Sequence, residues 1–486
     1  MSKKQLYFFF IFIGSAMLWT SCGDDSPSDL VAASTKNGGC VDKATFDKIA
    51  AGLRKDRRTR KDYQSEDAVW IFISTQGGKN CDGQAVNTSD NTTAVIAVAK
   101  PIYSVFIENS ASMDGYVQGN SEFKNATYNF LADILMKTNQ IADSMNLNYI
   151  NSKIIPFDEP LDDFIEKLSP STFQKRGGER GTTDLYDVIK RSIDSVKTGR
   201  VVVFISDCVF SPGSKRNALD YLANQKTGIK RLFSDLIYAH NDLTTIVIKL
   251  NSSFNGDYYD YNNKIIKLAG QKRPYYIWIV GKYSEVEALQ NKVKLEKIDG
   301  GIEDFYAQYP LSISSQPKHK MVRMGAIGRF EIDRDNLNTL NNAEISERGG
   351  STCFGFNMVV DFSKAGVSEN YLSDISNYQL SSDNYKLVVS RITEAEHAVD
   401  KGLEKFTHKL TFFTVELKPM TLNVELKRKM PNWVEKSNSQ DDREQTPDEL
   451  TKTFGVKYLI EGMADAYQSV AKTENPILKT SITIKK

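Results

Sequence analysis

Ile102-Tyr103-Ser104-Val105-Phe106-Ile107-Glu108-Asn109-Ser110-Ala111-Ser112-Met113 is the stretch on which the reading of this chain turns. Its apolar run, 102–107, stops at Glu108. Polar residues and Asp114-Gly115 follow, and then a helical pattern near 123–146. A buried strand feeding a short polar turn and then a helix is the local grammar of an open α/β sheet, in which ligands sit beyond the carboxyl ends of the strands. Glu108, Ser110 and Ser112 occupy alternate positions of that turn. They offer oxygen alone, the donor type of a hard cation such as Mg²⁺. A plainer role is open to the same residues, with the serines capping the next helix and Glu108 in solvent.

Downstream, strand and helix alternate. Strand 153–157 and a short helix at 161–168 come first. The Gly-rich turn Gly177-Gly178-Glu179-Arg180-Gly181 then opens onto Thr182-Thr183-Asp184 and a helix to Val196. Strand 200–206 ends in Asp207, helix 215–238 follows, and strands are expected at 244–250 and 275–280 before a helix at 284–293. This pattern predicts a doubly wound, mostly parallel sheet covered on both faces over residues 100–295. Beyond residue 300 short alternating runs at 329–332, 354–362, 385–392, 409–417, 421–427 and 478–484 predict a mainly antiparallel β domain to residue 486. One amphipathic helix, 456–469, is expected to pack on that sheet, and 434–450 reads as a solvated loop. Ahead of the α/β domain, residues 22–99 read as a tether and N-terminal segment, with a charged helix at 43–65 and a short strand at 68–74.

At 486 residues the chain can build two or three cores. A formal net charge of +1 provides no global field for nucleic acid, which is excluded as a partner. Basic residues 54–61 read as a solvated helix face, with membrane phosphates as the alternative contact. Lys3-Lys4, the apolar segment 6–19 and Thr20-Ser21-Cys22 form a positive n-region, an h-region and small residues, so 1–21 reads as a signal peptide. Cys22 after small residues resembles the lipobox of bacterial lipoproteins, with Leu18 one place further from the cysteine than usual. Gly23-Asp24-Asp25 resembles the acidic signal that sends some such lipoproteins to the outer surface. These resemblances imply lipidation at Cys22 and an outer-membrane anchor, at the cell surface or facing the periplasm. An ordinary secretion signal is the alternative. Cys40 and Cys81 lie in polar, Gly-rich surroundings and are the expected disulfide pair, while Cys208 ends an apolar strand and is expected to be buried.

Glu108, Ser110, Ser112, Thr183 and Asp207 carry matched chemistry. If the strands before them are neighbours at a topological switch point, their loops converge and offer five oxygens to a cation. Strand–Glu108-Asn109-Ser110-Ala111-Ser112, then Gly181-Thr182-Thr183-Asp184-Leu185, then Ile205-Ser206-Asp207 resembles the von Willebrand factor type A domain, which includes integrin inserted domains. In that family a DxSxS loop, a distant Thr and a distant Asp form a metal-ion-dependent adhesion site. The resemblance implies that Ser110, Ser112 and Thr183 ligate Mg²⁺ (or Mn²⁺ or Ca²⁺) through hydroxyls, and that Asp207 acts directly or through water. Glu108 departs from the family's Asp. It keeps the charge but moves the carboxylate by about 1.5 Å, which converts a water-mediated contact to a direct one or abolishes the site.

The resemblance implies a lipoprotein that binds a protein or acidic ligand by accepting its carboxylate on the metal. The alternatives are a metal-assisted, phosphoesterase-like hydrolase and a structural or assembly lipoprotein with a degenerate site. The four histidines lie away from this turn in sequence, so a Ser-His-Asp relay lacks a base. The glycines at 177–181 lack the Lys-Ser/Thr of a P-loop. Asp114 is either a further carboxylate near the metal or a turn residue before Gly115. Tyr258, Tyr259 and Tyr261 form either a recognition surface or an ordered loop.

Overall fold

The computed structural model describes residues 30–31, 33–34, 41–55, 66, 69–70, 73 and 101–486, the last without 138–143, 182–183, 214–215, 296–297, 311–315, 349–350 and 472–475. The chain divides into two compact units, 1–99 and 100–486. The expected signal segment, Cys22, Cys40, Cys81 and Thr183 lie outside the described residues. No helix among the described residues is long and apolar enough to cross a membrane.

In the first unit, helix α1 (Lys43–Lys55) buries Phe46, Ile49, Ala50 and Leu53 at helical spacing. The Asp42 carboxylate accepts from the Thr45 amide at 2.8 Å and so caps the first turn. Phe46 stacks on Trp70. Of the strand expected at 68–74, the described residues Val69, Trp70 and Ile73 are helical instead. They face Phe46 and Ile49 as one apolar cluster, so helical packing overrides their β propensity.

The second unit begins with β1 (Ile102–Glu108), followed by α2 (Glu122–Lys137), β2 (Ser144–Ile150), β3 (Ile154–Phe157), α3 (Leu185–Ile193) and β4 (Val201–Ser206). Then come α4 (Ala218–Ala239), β5 (Leu243–Tyr259), β6 (Ile265–Lys282), α5 (Tyr283–Lys292) and β7 (Asp304–Gln308). These strands make one seven-stranded sheet in the order β3-β2-β1-β4-β6-β5-β7. β1 pairs in parallel with β2 and with β4. The pairings β2–β3, β4–β6, β5–β6 and β5–β7 are antiparallel, so the sheet is mixed.

The apolar runs of β1, β4 and β6 are continuous because both faces are covered. Tyr103, Val105, Ile107, Val201, Val203, Ile205, Ile277 and Ile279 face one way, toward Phe123, Phe130 and Ile134 of α2. Phe106, Val202, Phe204, Tyr276 and Trp278 face the other, toward α3 and α4.

Several boundaries differ from the expected ones. The helix expected to 146 ends at Lys137, and β2 follows it. The sheet does not end near 295, since β7 comes from 304–308. β5 and β6 run far beyond the expected 244–250 and 275–280, remaining paired as far as Tyr259↔Ile265.

The remaining strands are mainly antiparallel, as expected. They are β8 (His319–Ile327), β9 (Arg329–Ile332), β10 (Thr339–Glu344), β11 (Ser346–Arg348), β12 (Ser351–Val360), β13 (Tyr378–Leu380), β14 (Lys386–Arg391), β15 (His408–Thr414) and β16 (Met420–Leu426). Short β17 (Asn438–Ser439) and β18 (Thr453–Phe454), helix α6 (Val456–Ala471) and β19 (Leu478–Ile484) complete the chain. One sheet has the order β13-β16-β19-β10-β9; the other has β11-β12-β15-β14, with β8 on β12.

Helix α6 does show the expected apolar face, which shares one core with Leu422, Val424 and Ile482 of that sheet and also packs on α4 of the other half. The Lys226 ammonium donates to Glu461 at 2.9 Å and lies 3.2 Å from Asp465. A Cβ at Gly462 would sit 2.6 Å from the Lys226 carbonyl oxygen, so the glycine permits the close crossing. The Tyr467 hydroxyl donates to the Leu243 carbonyl at 3.2 Å at the start of β5.

Candidate metal centre

The register of β1 and β4, Ile107↔Ile205, brings Glu108 beside Ser206 at one sheet edge. The chain leaves β1 toward β2 on one side and leaves β4 through α4 toward β5 on the other. Their carboxyl ends therefore form the switch point of the sheet. Four of the five expected ligand residues meet here. Glu108 and Asp207 are 5% and 3% exposed, Ser110 is buried and Ser112 half-buried. The Ser110 and Ser112 hydroxyl oxygens are 3.0 Å apart. The Ser110 hydroxyl favours the charged form of Glu108, and the Ser112 hydroxyl that of Asp207.

Ser206 and Cys208, neither of them among the expected ligands, also take part here. The Ser206 hydroxyl donates to Glu108 Oε2 at 2.5 Å and accepts from the Cys208 amide at 2.8 Å. Cys208 is buried and holds a left-handed backbone with φ of 56°, an uncommon conformation for a residue with a Cβ. That turn lets the Val209 amide reach back to Asp207 Oδ1 at 3.2 Å.

Burial, and then the neighbouring Asp207 charge, push the Glu108 carboxyl up to about 7, against the pull of the Ser206 and Ser110 hydroxyls. Burial also raises Asp207, opposed by the Val209 amide, the Ser112 hydroxyl and the Arg273 guanidinium. Two acids and two hydroxyls that share a buried pocket are an oxygen-only set suited to a hard cation. Among the described residues no cluster of three or more His, Cys, Asp or Glu side chains stands ready for a metal, so a cation here depends on the serine hydroxyls.

The loop after β1 is clamped from the Gly-rich turn. Arg180 donates from Nε to the Asn109 carbonyl at 2.8 Å and from one terminal nitrogen to the Ser110 carbonyl at 3.2 Å. The same guanidinium pairs with Asp114 at 2.5 Å, which makes Asp114 a partner of Arg180. Gly178 has φ of +82°, and a Cβ there would lie 2.0 Å from Asn151 Oδ1. Asn151 in turn donates to Gly177 O and Asn109 Oδ1 at 2.9 and 3.0 Å. Asp184, next to Thr183, caps α3 by accepting from the Tyr186 amide at 2.9 Å.

Above the crevice lies the extended part of the β5–β6 hairpin. Phe254 covers Gly115, and a Cβ on Gly256 would lie 3.0 Å from Gly115 Cα. The Tyr116 hydroxyl donates to the Pro274 carbonyl at 2.5 Å. Arg273, 1% exposed, lies 4.1 Å from the Tyr258 ring centroid and donates to Gln445 Oε1 at 2.9 Å and to the Lys452 carbonyl at 3.2 Å.

Tyr258 itself is buried and donates to Asp442, so it belongs to the roof and not to an open recognition loop. The Asp442 carboxylate also accepts from the Tyr261 amide at 2.9 Å, and burial pushes its pKa up to about 6. The segment expected to be a solvated loop, 434–450, is therefore in part a buried latch.

The histidines lie elsewhere. His240 caps the end of α4, and His408 pairs with Glu369 in the β half at 3.1 Å. Cys208 and Cys353 are free thiols. No family model, curated protein or solved structure matches the chain.

Proposed function

We propose that this chain is a lipid-anchored, von Willebrand A-like binding protein of the outer membrane, at the cell surface or in the periplasm. Its crevice holds Mg²⁺, with Mn²⁺ or Ca²⁺ as alternatives. Glu108, Ser110, Ser112 and Asp207 contribute oxygens together with Thr183, and an acidic group of a protein or other ligand completes the coordination. The observation that carries this reading is the pair of buried carboxylates, Glu108 and Asp207, beside two serine hydroxyls at the switch point of the sheet. An anionic pocket without a compensating cation is costly, and a divalent ion relieves that cost.

Calorimetric titration of the full chain in detergent with Mg²⁺ and Mn²⁺ tests it, alongside Ser110→Ala and Asp207→Ala. Saturable binding that both variants lose supports the crevice. Absence of binding to the unaltered chain refutes it.

A second reading, an assembly scaffold with a degenerate site, is favoured by one observation. The Arg273 guanidinium acts on Asp207 from within the roof, where it supplies part of the positive charge a metal would bring.

A further inference from the structure

A second group of oxygens lies on β7, three strands from β4 in the sheet order and so about 14 Å from it. An antiparallel bridge, Tyr306↔Val367, continues the sheet past β7 and sets Asp304 level with residues 368–370. Asp304 and Ser368 are 8% and 7% exposed. Neither Asp304 Oδ1 nor the Ser368 hydroxyl has a hydrogen-bond partner among the described residues. Burial raises the Asp304 carboxyl, opposed first by the Ser368 hydroxyl and the Asn370 side chain and then by the Lys249 charge. Asn370 is exposed, so solvent reaches the group.

The charges nearby do not cancel. Lys249 stands across from Asp304 in the β5–β7 register, but its ammonium turns to Glu303 at 2.7 Å. Those two neutralise each other and leave Asp304 with the net charge. Glu369, between Ser368 and Asn370, is taken by His408 at 3.1 Å. A buried polar group without a partner costs about 1–3 kcal/mol, and a charged one more. A cation ligated by both oxygens removes that cost.

We propose that Asp304, Ser368 and Asn370 form a Ca²⁺ site, independent of the metal crevice, with water at the remaining positions. Carboxylate, hydroxyl and amide carbonyl make an uneven oxygen set. Ca²⁺ accepts such sets with flexible geometry, whereas Mg²⁺ demands a near-ideal octahedron. A single carboxylate implies a Kd of about 10⁻⁴–10⁻³ M, the range of extracellular calcium modules.

The test is calorimetry of the full chain in detergent with Ca²⁺ as the probe. A saturable event in that range is expected. Asp304→Asn keeps the shape, deletes the charge and should abolish the event, while Ser368→Ala should weaken it by about threefold or more. Asp207→Ala should leave it in place, so failure of the crevice reading does not touch this result. Urea unfolding separates a ligand role from a structural one. Ser368→Ala removes a hydroxyl without a partner and should leave the midpoint unchanged in EDTA, yet lower it relative to the native chain in Ca²⁺. The inference is overturned if no such Ca²⁺ event exists, if Asp304→Asn leaves it unchanged, or if Ser368→Ala costs as much stability in EDTA as in Ca²⁺.

Discussion

Glu108→Gln isolates the electrostatics of the crevice. Glutamine keeps the length of the side chain and an acceptor for the Ser206 hydroxyl, and its amide can donate to Ser110. Only the charge beside Asp207 is deleted. In the folded chain the Glu108 carboxyl is raised from an ordinary 4.5 to about 7. That gap corresponds to roughly 3 kcal/mol of preference for the protonated form in the folded state. Because the folded value is the higher one, the associated stability is complete below about pH 4.5. It is lost as pH rises through about 7.

The variant lacks this slope. In EDTA it should match the native chain near pH 4.5 and exceed it by up to about 3 kcal/mol at pH 8. Urea unfolding followed by tryptophan fluorescence at both pH values measures the difference, with Trp278 buried in the sheet as the reporter. Other titrating groups cancel to first order when the two chains are compared at each pH. Equal destabilisation at the two pH values, or a native chain that gains on the variant as pH rises, would refute the reasoning.

The same sign governs metal binding: Mg²⁺ must displace the Glu108 proton below about pH 7, so the rise in Tm on adding Mg²⁺ should be larger at pH 8 than at pH 5.5, as scanning calorimetry will show. Arg273→Met removes a buried cation with two hydrogen bonds and should cost about 2–4 kcal/mol in urea unfolding, while Mg²⁺ affinity measured by calorimetry rises because Asp207 loses its internal counter-charge. Gly462→Ala places a Cβ 2.6 Å from the Lys226 carbonyl oxygen and should destabilise the α4–α6 crossing by about 1–3 kcal/mol, read as a lowered urea midpoint.

The parts of this fold legible in the sequence are those where local pattern and burial agree. β1 and β4 are apolar without interruption because helices cover both faces, and their polar ends at Glu108 and Asp207 mark the switch point directly. β2 was hidden because Asn146 and Asn148 alternate with apolar residues straight after a helical pattern, and a short alternating run can be absorbed into the helix before it. The outer reach of β5 was hidden for another reason. Asn251, Ser252, Ser253, Asn255, Gly256 and Asp257 have poor strand propensity, and they are held in strand by pairing with β6.

The site follows the same division. Glu108, Ser110 and Ser112 stand at alternate positions where β1 ends, and Asp207 directly follows β4. Arg273 sits in Gln271-Lys272-Arg273-Pro274, which has the composition of a surface turn. Only its contacts with Tyr258, Gln445 and Lys452 explain its burial. Asp442 is concealed likewise within a run of charged and polar residues.

The latch formed by residues 438–454 has a consequence for the order in which the chain is made. Synthesis delivers the hairpin of β5 and β6 long before Asp442, Gln445 and Lys452 exist, so Tyr258 and Arg273 wait without their eventual hydrogen-bond partners. A nascent chain arrested near residue 430 would hold every strand of the seven-stranded sheet and lack the clasp over its crevice. The neighbourhood of Glu108 and Asp207 thus acquires its final character only once residues 438–454 have emerged.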